Sequence, residues 1–204
     1  MSNNQDFDRL SAQLAFLTEA DRLKTVLRAT PLADNSRPEN SGEHSWHLAL
    51  YAMVLADQAA PGVNIDRVIR MLIMHDLVEI DVGDVPIHSA NGAAHASADR
   101  IAEESAAADR IFGLLPADLA GPFRALWDEF EAAETPDAIF AKSLDRVQPV
   151  VMNIASGGGS WRDYDVTLAQ VEARVGAKVA RGAPRLWAHL QTRLRAIFAD
   201  PPWR

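Results

Sequence analysis

The chain has no cysteine among its 204 residues, which excludes disulfides, cysteine-ligated zinc and a thiol nucleophile. It is also poor in positive charge: 20 Lys and Arg stand against 28 Asp and Glu, a net charge of −8, and no block of cations stands out. A protein that grips a duplex through its phosphates needs a basic face, so no nucleic acid is expected as a partner. A small anion remains open, because a metal ion or a few arginines can reverse the field locally. No apolar run approaches the ~20 residues that span a bilayer, and the opening MSNNQDFDRLSAQ lacks the basic-then-apolar order of a signal peptide. No membrane partner is expected, and the chain reads as cytoplasmic. No stretch alternates apolar and polar residues as a strand would.

What is present is helical periodicity. Leu10, Leu14, Leu17, Leu23, Val26 and Leu27 recur at helical spacing over about 7–29. Residues 31–41 are polar and turn-like. Asn40 with Glu43 three residues on has the form of a capping box, so a helix is expected from Ser41 to just before Pro61-Gly62. Asn64 can cap the next helix, which ends by Gly83. The stretch 87–96 reads as a loop, followed by helices at about 97–114, 117–133 and 136–155. SGGGSW breaks the pattern, and helices near 167–180 and from Pro184 to about Phe198 close the chain. Connections this short favour helices packed as neighbours in one bundle. The fold class is all-α, and a single domain over 1–204 is expected.

The chemistry concentrates in MLIMHDLVEIDVGDVP, residues 71–86. Four apolar residues run into His75-Asp76, and Glu79, Asp81 and Asp84 follow. Burying unpaired carboxylates is expensive, so a cation must compensate. His44 opens the preceding helix, and Asp145 stands beside the apolar stripe Ile139, Phe140, Leu144, Val147, Val151 and Ile154. Imidazole with carboxylate suits one divalent ion, with Mn, Co, Fe, Ni, Zn and Mg all open.

The order His44, His75-Asp76, Asp145 resembles the HD-domain metal-dependent phosphohydrolases. The strings RPENSGEHSW (37–46), HDLVEIDVGDVP (75–86) and AKSLDRVQP (141–149) are similar to the branch containing the bacterial 5′-deoxynucleotidases. The resemblance implies an HD-domain helical bundle, with a metal-binding core at about 20–155 and helices at about 160–199 packed on it. It implies that His44, His75, Asp76 and Asp145 hold one divalent metal, whose bound water attacks phosphorus in a small phosphorylated substrate, a nucleoside 5′-monophosphate. Glu79, one helical turn past His75, would orient or deprotonate that water. Asp84 would act at the leaving oxygen or the sugar. Arg37 and Lys142 would meet the phosphate, and a homodimer would be the assembly. Where those relatives carry an Arg-Trp pair, this chain has Arg28-Ala29-Thr30. The tryptophan belongs to the sugar side of their pocket, so the choice between deoxyribose and ribose stays open.

Two other readings compete. Some HD-domain proteins hold two irons and act as oxygenases; His88 and His95 could supply a second metal site here. The alternative is a non-catalytic nucleotide sensor, against which Glu79 and Asp84 argue. His47 is expected in packing behind His44 rather than on the metal.

Overall fold

A computed structural model of the chain describes residues 2–89 and 97–203. Helix α1 (Ser2–Ala20) passes through a 3₁₀ turn (Asp21–Thr25) into an antiparallel hairpin, β1 (Leu27–Pro31) and β2 (Pro38–Asn40). Then come α2 (Ser41–Val54), α3 (Ile65–Met74), a 3₁₀ turn (His75–Val78) and α4 (Glu79–Val82). Beyond residue 97 lie α5 (Ala98–Phe112), α6 (Ala117–Ala132), α7 (Pro136–Ala155), α8 (Gly159–Asp163) and α9 (Leu168–Val171). A π turn (Glu172–Gly176) joins α9 to α10 (Ala177–Gly182), and α11 (Pro184–Ala199) ends the fold. Among the described residues the fold is all-α apart from the hairpin. Among the described residues no helix is long and apolar enough to cross a membrane.

The hairpin corrects the helix expected to 29. The leucines that suggested it do not face a core: Leu10, Leu14 and Leu17 are exposed, and Phe16 and Leu23 are the buried members of the segment. The loop at 87–96 begins as expected, but its residues from 90, His95 among them, lie outside the described residues.

Three apolar clusters hold the bundle. Phe16, Leu77, Ile111, Phe112 and Trp127 join α1, α5 and α6 to the 3₁₀ turn at His75. Leu48, Leu72, Phe130, Phe140 and Leu144 join α2, α3, α6 and α7. Val147, Trp161, Val175, Trp187 and Leu194 seat the C-terminal helices on the far half of α7. Helix α7 belongs to the last two clusters, which fixes it as the axis of the molecule. Each Leu or Phe buried there contributes ~1.5–3 kcal/mol.

Contact between α7 and α10 is close because Gly182 has no side chain. A Cβ at that position would lie 2.7 Å from the Ile139 carbonyl oxygen and would also strike Ser143 Oγ. Gly182→Ala is therefore expected to cost about 1–3 kcal/mol through overpacking, read as a lower urea midpoint with an unchanged slope.

Candidate metal centre

The capping box opens α2: Asn40 Oδ1 accepts from the Glu43 amide, and a Glu43 carboxylate oxygen accepts from the Asn40 amide. This start places His44 in the first turn, fully buried. Gln148 on α7 lies behind it. Gln148 Nε2 donates to Glu39 Oε1 at 2.7 Å, so its carbonyl oxygen turns to His44 Nδ1, 3.1 Å away. Nδ1 of His44 must then be the donor, and Nε2 presents its lone pair towards Asp145 Oδ1 at 3.2 Å.

His75 repeats the pattern. Its Nδ1 lies 2.9 Å from the Leu72 carbonyl, which can only accept. Its Nε2 is buried with no hydrogen-bond partner, although Asp76 Oδ1 is 2.9 Å away and Asp145 Oδ1 is 3.7 Å away. Trp127 Nε1 donates to the His75 carbonyl at 3.1 Å, and the His75 ring packs edge-on to Phe130. On α7, Pro149 cannot donate to the carbonyl of Asp145, which opens the helix at that acid.

Two imidazole nitrogens and two carboxylates thus converge on one point. His44, His75 and Asp76 offer atoms within 4.8 Å of one another, a group that could hold a metal ion, and Asp145 stands against both rings. The outer N–H of each ring is tied down, the support that metal-ligating histidines require. The donor set fits a divalent cation; it does not discriminate among them.

The electrostatics agree. Burial opposes a charge on His75, yet Asp76 and Asp145 outweigh it and push its pKa up to about 10. Asp145 falls well below the ordinary carboxylate value: Arg146, His44 and His75 overcome the cost of burial. Without a metal, then, the cluster draws a proton into the place of a cation. That proton must leave before a cation enters. Metal affinity should therefore rise about tenfold per pH unit between roughly pH 6.5 and 9, with about one proton released. Calorimetry in buffers of different ionisation heat measures both. The sign for stability is opposite: a raised His75 pKa stabilises the metal-free fold below about pH 6.5 and loses that contribution towards pH 10. Its melting temperature should fall across that window, and the loaded protein's should not.

The 3₁₀ turn at His75–Val78 changes which residues align. Such a turn eclipses i and i+3, so Glu79 falls in line with Asp76 rather than with His75. Arg28, carried in by β1, meets both: its guanidinium is 2.9 Å from Asp76 Oδ2, 3.7 Å from Glu79 Oε1 and 3.5 Å from Asp84 Oδ1. Glu79 also accepts from Ser41 Oγ. Burial and the Asp76 charge raise its pKa well above the ordinary value despite Arg28. Asp84 is raised too, by burial and then by Asp76, with Arg28 opposing. Gly83 turns the chain into Asp84 at φ +70°, a left-handed conformation suited to glycine. Arg100 clamps that turn, donating to the carbonyls of Val82 (2.7 Å) and Gly83.

Asp76, Glu79, Asp84 and Asp145 border one cavity of about 480 Å³, together with Arg28, His75, Lys142, Arg146, Lys178 and Arg181. Lys142 lines it while bonded to Glu131 at 2.9 and 3.0 Å and lying over the Phe130 ring. Arg37 is not among the lining residues. It is exposed and pairs with Glu43 at 2.6 and 2.8 Å, bracing the cap of α2. Its place beside the acids is taken by Arg28, which the sequence places only loosely. His88 lines the cavity, but its Nδ1 accepts from Arg174 at 2.9 Å, and burial with that guanidinium lowers its pKa to about 4. A nitrogen so engaged beside a fixed cation is a poor ligand for a second metal. His47 Nδ1 lies against Gln148, behind the cluster.

The family model described as "HD domain" matches residues 20–187. The 5′-deoxynucleotidase HDDC2 of Homo sapiens is 33% identical over 145 residues, 68% of this chain and 65% of that protein. The 5′-deoxynucleotidase yfbR of Photorhabdus temperata is 26% identical over 167 residues, 80% of this chain and 84% of its own. The match thus spans about 65% of the human relative's length. A crystal structure described as a "Predicted metal-dependent phosphohydrolase" from Magnetospirillum magnetotacticum MS-1 superposes with a TM-score of 0.85 at 46% identity, covering 93% of this chain and 95% of that one.

Proposed function

The chain belongs to the HD-domain family, and from that premise we propose that it is a metal-dependent phosphomonoesterase acting on nucleoside 5′-monophosphates. The observation that carries the reading is the convergence of ring nitrogens and carboxylate oxygens from His44, His75, Asp76 and Asp145 beside a buried carboxyl with raised pKa, Glu79. The two relatives named 5′-deoxynucleotidase support the substrate class.

A divalent ion held by these four residues would acidify a water and neutralise charge on the phosphoryl group. The chain's own residues do the rest. Glu79 takes the proton of the attacking water, with Ser41 and Arg28 fixing its orientation. Asp84, pushed towards its neutral form by burial, gives a proton to the departing sugar oxygen. Arg28 and Lys142 face the phosphoryl oxygens, and the turn clamped by Arg100 holds Asp84 in place. Water adds to phosphorus, the P–O ester bond breaks, and nucleoside and phosphate leave.

The test is to strip the protein, reload it separately with Mn, Co, Ni, Zn, Fe or Mg, and follow phosphate release from deoxy- and ribonucleoside 5′-monophosphates, 3′-monophosphates and triphosphates. Release confined to 5′-monophosphates supports the reading; silence with every metal bound sinks it. Ala29 and Thr30 line the cavity, where the relatives' pair would set a tryptophan, so the ratio of ribo- to deoxyribonucleotide turnover reports what that smaller wall does.

A homodimer is part of the same proposal. Phe7, Leu10, Leu14 and Leu17 make an exposed apolar stripe on α1, and Trp46, Leu50, Met53 and Val54 another on α2. Sedimentation should return the mass of two chains.

A further inference from the structure

Two helices contribute a second set of charges to the cavity. Helix α7 presents Lys142 and Arg146, one turn apart, and α10 presents Lys178 and Arg181, also one turn apart. The helices are locked together at this point: Gly182 lies against Ile139 and Ser143, and Ser143 Oγ lies 3.2 Å from the Lys178 carbonyl, to which it donates. The four cations are thus carried by packed helix backbone, not by a loop. Lys142 and Arg146 already have acidic neighbours. Glu131 is bonded to Lys142, and Asp145, 3.7 Å from Arg146 Nε, is committed to the metal cluster. Lys178 and Arg181 are at the solvent edge of the cavity. The ammonium of Lys178 is held below its ordinary pKa first by Arg146, then by burial and by Lys142, and Asp145 and Glu131 do not offset them. In a chain of net charge −8, this is a local positive field at a cavity mouth, a place an anion would stabilise.

We propose that Lys178 and Arg181 form a second anion subsite at the cavity mouth that takes a further phosphate of the substrate. The scissile ester would lie at the His44–His75–Asp76–Asp145 cluster and the second phosphate at the mouth. A nucleoside bisphosphate meets this requirement, because each of its phosphates is a monoester; the outer phosphate of a diphosphate is an anhydride. One water is consumed and one P–O ester bond broken per turnover, and the second phosphate stays on the product. The identity of the reaction rests on the phosphomonoesterase reading; the anion binding does not.

The experiment compares adenosine 3′,5′-bisphosphate with adenosine 5′-monophosphate on the metal-loaded protein and on the double variant Lys178→Ala, Arg181→Ala. Both positions are exposed on a helix, where alanine is well tolerated, and circular dichroism checks the fold. Charge-assisted hydrogen bonds at ~1.5–3 kcal/mol predict a fall of about 10- to 100-fold in kcat/KM for the bisphosphate, carried by KM. The fall for the monophosphate should be several-fold smaller. An equal fall for both substrates means general steering by the rim, and no fall means no contact; either overturns the proposal. Calorimetric binding of the bisphosphate to metal-free protein separates the two readings. Binding that weakens in the double variant, with no hydrolysis under any metal, upholds the subsite and defeats the phosphomonoesterase. Hydrolysis of monophosphates with no bisphosphate preference does the reverse.

Discussion

Asp145→Ala is expected to lose its metal and, with it, phosphate release by a factor of about a thousand or more. The Asp145 side chain faces both imidazoles, with Oδ1 at 3.2 Å from His44 Nε2 and 3.7 Å from His75 Nε2. A catalytic ion supplies several kcal/mol of transition-state stabilisation, and about 4 kcal/mol corresponds to roughly a thousandfold in rate. The stability effect should be large as well. In metal-free protein the acid balances a protonated His75 and lies beside Arg146. Removing one partner of a buried pair costs about 3–5 kcal/mol. Metal content by elemental analysis, kcat/KM and a denaturant melt measure the three consequences. A variant that keeps a full complement of metal would remove Asp145 from the ligand set.

Glu79→Gln should behave in the opposite way on stability. Glutamine keeps the shape and can still accept from Ser41, but it cannot take a proton from water. The expected loss in kcat is about 10²–10⁴-fold, with metal content unchanged. Because burial and Asp76 raise the pKa of Glu79 in the fold, its ionised form is disfavoured relative to the unfolded chain. Its cost to the metal-free fold therefore appears above about pH 4.5 and grows until the pH passes its folded pKa. The variant should be at least as stable as the parent near neutral pH, and its residual activity should lose the acid limb that Glu79 imposes. A parent-like rate would remove Glu79 from the proton transfer.

That His44, His75, Asp76 and Asp145 come together could be read from the sequence because each is marked locally. The Asn40–Glu43 box fixes where α2 begins and so where His44 sits; the apolar run before His75 and the stripe around Asp145 mark packed helices. Arg28 gave no such signal. Its destination depends on a hairpin whose strands have five and three residues, too short to show a period, and on pairing across 48 residues with Asp76. Arg37 was the plausible substitute because it lies close to His44 in sequence, yet Glu43 is nearer still. The alignment of Glu79 turns on helix type: four residues bring it round to His75 in an α-helix, three bring it round to Asp76 in a 3₁₀ turn. The apolar spacing in α1 is helical as expected, but which face packs is decided by neighbours that periodicity does not contain.

The hairpin sets a further condition. It is tied down by Arg28 to Asp76, by Glu39 to Gln148 and by Asn35 to the Ser156 carbonyl, contacts 48, 109 and 121 residues apart in sequence. A helical chain ordinarily assembles quickly because its contacts are local, while distant contacts must first pay for closing long loops. Here the slowest contacts to form are those that bring Arg28 among the acids and Glu39 behind His44. The helices can be in place while the acids still repel one another, so acquisition of metal affinity should lag the acquisition of helix during refolding.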